Sequence, residues 1–138
     1  MALVFKYSPL PGLERTGVLA PIVPITFTNG VYEFSTYALI DSGAENAVIS
    51  TVIADALHID WSNIKQEKGF GMGSQFLFHR FNDLKANVEN NEFVIDICVV
   101  EGIYVFKCIL GKNDIFKKAE IKFKGYENKF ELVFRKMN

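Results

Sequence analysis

The stretch Ala38-Leu39-Ile40-Asp41-Ser42-Gly43-Ala44-Glu45-Asn46-Ala47-Val48-Ile49-Ser50 sets two apolar runs on either side of a carboxylate, a hydroxyl and a glycine. Leu39-Ile40 reads as the end of a buried strand. Asp41-Ser42-Gly43 reads as a tight loop that displays a carboxylate, with a glycine that lets a ligand backbone come close. Upstream, Ile25 and Phe27 alternate with polar residues before Asn29-Gly30, and Val31, Tyr32, Phe34 and Tyr37 follow. Asn-Gly tolerates positive φ at both central positions of a type I′ turn, so a β-hairpin is expected whose second strand runs straight into Asp41. Downstream, Ser50 is placed to cap a short helix carrying Val52, Ile53, Ala56 and Leu57 at roughly helical spacing. His58 falls at the end of that helix, where a partial negative charge favours the imidazolium, and it reads as a structural or surface residue.

Further along, Gly69, Gly71 and Gly73 occupy alternate positions and lead into Phe76, Phe78 and Arg80. That pattern predicts a hairpin over residues 68–81 with a flexible tip. A phosphate cradle would need a helix after the glycines, and the alternation after Gly73 is that of a strand. His79 and Arg80 are expected on the outer face of this hairpin. Further strands are expected at 93–100, 103–110, 121–123 and 130–134, with a short helix between Gly111 and Ala119 and a hairpin around 125–129. All four prolines lie at or before Pro24, which makes residues 1–24 an extended arm or edge strand. Residues 25–138 form the main domain. The fold class is all-β with one or two short helices.

A chain of 138 residues, 49% hydrophobic and 22% charged, suits one packed domain. Its net charge of -1 provides no basic field, which argues against nucleic acid or anionic lipid as partners. The most apolar region, 93–110, is broken by Asp96, Glu101 and Lys107, so no membrane span is expected, and no signal peptide is legible. Cys98 and Cys108 make neither a disulfide framework nor a zinc motif. They read as small buried hydrophobes in a reduced, cytoplasmic protein that needs no metal or cofactor.

Taken together, Leu39-Ile40, Asp41-Ser42-Gly43-Ala44, Glu45 and Val48-Ile49 resemble the active-site loop of retroviral-type (retropepsin-like) aspartic proteases. Ile109-Leu110-Gly111-Lys112-Asn113 resembles the element that supports the catalytic loop in that family, and the glycine-rich hairpin lies between the two, where the family has its flap. The resemblance runs from Ile25 to Phe116. It implies a closed β-barrel of the acid-protease type acting as one half of a homodimer, with one Asp41 from each subunit. It further implies that Ser42 holds the two loops together across the interface, that Ala44 keeps the loop floor small, and that Gly43 and Glu45 contact the main chain of a peptide or protein substrate. The flap would comprise Gly69, Phe70, Gly71, Met72 and Gly73, with Phe70, Gly71 and Met72 touching substrate. Lys112 departs from the usual arginine and loses the planar fork that can hold two partners.

The resemblance implies an aspartic endopeptidase, and since peptide hydrolysis by this route needs two carboxylates and the chain supplies one, a homodimer is expected. The alternative is a retropepsin-like dimerisation or peptide-binding module that no longer cuts. A β-barrel binding a small apolar ligand would account for the thirteen Phe residues but not for the two motifs and their order. The initial Met1 suggests that release from a precursor is not required.

Overall fold

The computed structural model describes residues 2–10, 14–71, 74–102 and 108–135, with the side chains of residues 70, 71 and 74 left aside. The alternation that begins at Ile22 builds the hairpin of β4 (Ile22–Asn29) and β5 (Tyr32–Ile40), paired from Ile22↔Leu39 to Asn29↔Tyr32. Ile25, Phe27, Ala38 and Ile40 point into the core. The strand starts earlier than Ile25 and includes Pro24, which lies outside the short pairing of Thr26 to Thr28 with a second neighbour, where a missing N–H does least harm. The turn also differs from expectation. Its two loop residues are Gly30 and Val31, with positive φ only at Gly30, the φ pattern of a type II′ rather than a type I′ turn. Asn29 is left in the strand, where its side-chain amide donates to the Leu57 carbonyl at 2.8 Å and ties the hairpin to the following helix.

The chain continues through β6 (Ala47–Ser50), α1 (Thr51–Ala56), β7 (Gln66–Gly71), β8 (Ser74–Val88), β9 (Asn91–Val100) and β10 (Cys108–Leu110). These strands form one sheet in the order β4-β5-β10-β6-β9-β8-β7, and a β4–β8 pairing closes it into a ring. Inside lie Val23, Phe27, Ile49, Ile53, Leu57, Leu84, Ile97, Val99 and Leu110, all essentially inaccessible to solvent. Ser50 caps α1 as expected, accepting from the Ile53 amide at 3.4 Å. Val52 does not join the core: it is 57% exposed, because the buried stripe of this short helix is Ile53, Ala54 and Leu57.

The chain ends in α2 (Ile115–Lys118), β11 (Ala119–Lys124) and β12 (Lys129–Phe134), and β12 pairs with β11 on one side and with β1 (Leu3–Lys6) on the other. The N-terminal segment thus supplies an edge strand, and Phe5 stacks on Phe130 at 5.3 Å. Two further short strands, β2 (Ser8–Pro9) and β3 (Leu19–Ala20), pair with each other beside it. The protein is mainly β with two short α-helices among the described residues. Residues 103–107 of the strand expected at 103–110 lie outside the described residues, as do Met72 and Gly73 at the tip of the glycine-rich hairpin.

Candidate active site

The position of Asp41 follows from how three strands are ordered. β5 and β6 are consecutive in the chain but do not pair, because β10 lies between them, parallel to β5 and antiparallel to β6. Residues 41–46 must therefore arch over the end of β10 to pass from one side to the other. Asp41 starts the arch, its amide donating to the Leu110 carbonyl at 2.9 Å. Its Oδ1 accepts the Gly43 amide at 2.8 Å, and its carbonyl accepts the Ala44 amide at 3.2 Å, so loop backbone fixes the direction of the carboxylate. Asp41 and Ala44 are half-buried, while Ser42, Gly43 and Glu45 are exposed on the rim.

The expected supporting element lies directly beneath. The Lys112 amide donates to the Ala44 carbonyl at 2.9 Å and the Asn113 amide to the Glu45 carbonyl at 2.8 Å. The Asn113 side chain donates to Asn46 Oδ1 at 3.2 Å. Gly111 passes so close to Ala44 that a Cβ there would run into the Ala44 backbone and come within 3.1 Å of its Cβ. The glycine in Leu110-Gly111 is thus required by packing. Lys112 works through its backbone, and its side chain is exposed.

Asp114 was not singled out from the sequence, although an Asp immediately before the apolar start of a helix is a cap signal. It is 2% exposed, and its Oδ1 accepts from both the Gly111 amide, at 2.8 Å, and the Ile115 amide, at 2.7 Å. One carboxylate thereby caps α2 and holds the turn that carries Gly111. Oδ2 has no hydrogen-bond partner among the described residues. Burial pushes the Asp114 carboxyl up to about 6, while the amides of Ile115, Gly111 and Ala47 pull the other way. Burial likewise raises the Cys98 thiol to about 11 and the Cys108 thiol further, and both cysteines are buried, as their apolar setting predicts.

The glycine-rich hairpin is present as β7 and β8, paired from Gln66↔His79 to Gly71↔Ser74. Gly69 allows the rings of Phe76 and Phe78 to lie across β7, since a Cβ there would meet Phe76 at 2.8 Å and Phe78 at 3.0 Å. Phe78, Cys98 and Val100 form a small second core with Phe76 and Val48, which joins the hairpin to the strand leaving the Asp41 loop. His79 corrects the expectation of an outer-face residue: it is 5% exposed, with both ring nitrogens engaged. Arg80 is half-buried, near Glu67 and the face of Phe78. His58 is exposed and stacks on Tyr32 at 3.6 Å, in keeping with a surface role. No cluster of ligands able to hold a metal occurs among the described residues.

No protein-family model matches the sequence, and no curated protein matches it. Among solved structures, the chain is similar to the crystal structure of a retropepsin-like aspartic protease from Rickettsia conorii. The TM-score is 0.70 at 14% identity, covering 96% of this chain and 90% of that one. The fold is therefore that of the retropepsin-like aspartic proteases. No described helix is long and apolar enough to cross a membrane.

Proposed function

We propose that the chain is one half of a homodimeric aspartic endopeptidase, with Asp41 as its single catalytic carboxylate. The observation that carries this reading is the Asp41 loop itself, half-exposed and held on both sides by backbone hydrogen bonds to Leu110, Lys112 and Asn113. It stands on a fold shared with a protein described as an aspartic protease. A two-fold axis beside the loops would bring two copies of Asp41 together, as closed symmetry permits. Two carboxylates that close cannot both ionise, so the pair would share one proton. One copy would take a proton from the attacking water while the other donates to the scissile carbonyl, and neither copy owns a fixed role. Exposed Ser42 would face its counterpart across the interface, and Gly43 and Glu45 would meet the substrate backbone. The β7–β8 hairpin, including Phe70, Gly71 and Met72, would close over an extended peptide.

The test uses purified protein and a mixed peptide library at acidic and neutral pH, with and without pepstatin, beside Asp41→Asn. Cleavage that vanishes in the variant is expected, with a fold unchanged by circular dichroism. Cleavage that persists would overturn the mechanism. Absence of cleavage in both proteins would favour a peptide-binding module. Light scattering should find a dimer at high micromolar concentration, and a strict monomer would be incompatible with a one-carboxylate enzyme.

A further inference from the structure

The β7–β8 hairpin leaves the closed sheet at a definite place. β8 pairs with β9 from Phe78↔Val100 onward, so among the described residues the part of β8 nearer the tip is paired with β7 alone. The first rung of the β7–β8 ladder, Gln66↔His79, lies at that point of departure. Both residues of the rung reach one carboxylate oxygen, Oε2 of Glu101, at the end of β9. The Gln66 amide donates to it at 3.1 Å, and His79 Nε2 lies 3.0 Å away. The other ring nitrogen, Nδ1, lies 2.8 Å from the Ile64 carbonyl.

Both atoms facing the imidazole are therefore acceptors, a carbonyl oxygen and a carboxylate oxygen. A neutral ring carries one proton and can satisfy only one of them, whereas the imidazolium satisfies both. We propose that His79 and Glu101 form an ionic latch at the pivot of the hairpin, closed when His79 is cationic and released when it loses its proton. The hydrogen bond to Glu101 raises the His79 pKa above its ordinary value, burial opposes this, and the Ile64 carbonyl adds to the rise. Among the described residues, Glu101 is the one charged group that acts on the ring. Trp61 packs against the ring at 5.3 Å and its indole N–H is bound to Asp55, Gln66 is neutral, and Glu67 lies near Arg80. Because the folded pKa is raised, the latch contributes fully below the unfolded value and is lost as pH rises through the folded one. Its bearing on substrate rests on the protease reading; its existence does not.

The experiment follows imidazole nitrogen resonances and amide hydrogen exchange of the full chain from mildly acidic to mildly alkaline pH. The protein has two histidines, and His79→Gln assigns the His79 resonances. We expect the His79 midpoint to lie above the ordinary imidazole value, with both ring nitrogens protonated below that midpoint. Amides of residues 66–71 and 74–80 should lose protection by about tenfold beyond the intrinsic rate change as His79 titrates. In Glu101→Gln the His79 midpoint should fall and the step in protection should disappear, with the amides of β4 and β6 reporting that the variant is folded. A His79 midpoint at or below the ordinary imidazole value, or hairpin protection without a step in the wild-type protein, would overturn the latch. Asp41→Asn should give the wild-type result in these readouts, so failure of the latch and failure of the protease reading are told apart.

Discussion

At the residue scale, two buried contacts beneath the Asp41 loop govern what the loop can tolerate. Gly111 has no room for a side chain against Ala44, so Gly111→Ala must push the arch off β10. Overpacking of this kind typically costs about 1–3 kcal/mol, and urea unfolding should register that loss. If the protease reading holds, peptide cleavage should fall by more than the stability change explains. Asp114 offers a test with a sign. Its folded value of about 6 exceeds its ordinary 3.8, so the native state keeps a proton that the unfolded chain has released. Stability should therefore be greatest below that window and fall as pH rises through it, by up to about 3 kcal/mol. Asp114→Asn should retain the cap and flatten the pH dependence, whereas Asp114→Ala should lose about 1–2 kcal/mol at every pH. Thermal melts across acid pH distinguish the three proteins. Asp114 was legible only as a possible cap, because its second bond, to Gly111, is made by a turn that sequence alone does not close.

At the element scale, the β7–β8 hairpin depends on a glycine facing two rings. Gly69→Ala would meet Phe76 and Phe78, and the strain should be relieved when Phe76 is also cut to alanine. A double-mutant cycle is expected to show favourable coupling of about 0.5–3 kcal/mol between the two changes. Additive effects would mean that the rings move aside freely. The hairpin as an element was legible from alternating Gly and Phe, since period two is a local property of a strand. Its inner and outer faces were harder to read. His79 was expected outside, yet Trp61, Ile64 and Glu101, all distant in sequence, close around it. The first hairpin shows the same limit: Asn29-Gly30 marked the turn, but the bond from Asn29 to Leu57 holds Asn29 in the strand and moves the turn by one residue.

For the whole molecule, β1 is first in sequence yet an edge strand in space, laid on β12 with Leu3 and Phe5 packed against the core. Removing residues 1–6 should uncover Phe130 and Leu132 and lower stability by roughly 2–4 kcal/mol, from the apolar area returned to water. Urea denaturation of the truncated chain tests this. A loss near zero would show that β11 and β12 hold without their edge. The sequence by itself determined the local pieces: the strand that ends at Asp41, the Ser50 cap, the glycine hairpin, and the pairing of Ile109 to Asn113 with the Asp41 motif through family resemblance. The first three rest on backbone preference or side-chain alternation over a few neighbouring residues, and the last on the resemblance alone. Only the tertiary structure decided that β10 enters between β5 and β6, which is what makes residues 41–46 arch, leaves Gly111 no space for a side chain, and buries Asp114 beneath them. The same holds for the rung at which Gln66 and His79 meet Glu101. These contacts join residues far apart along the chain, and no local pattern encodes which of many possible strand neighbours will bury the most apolar surface while pairing every backbone amide.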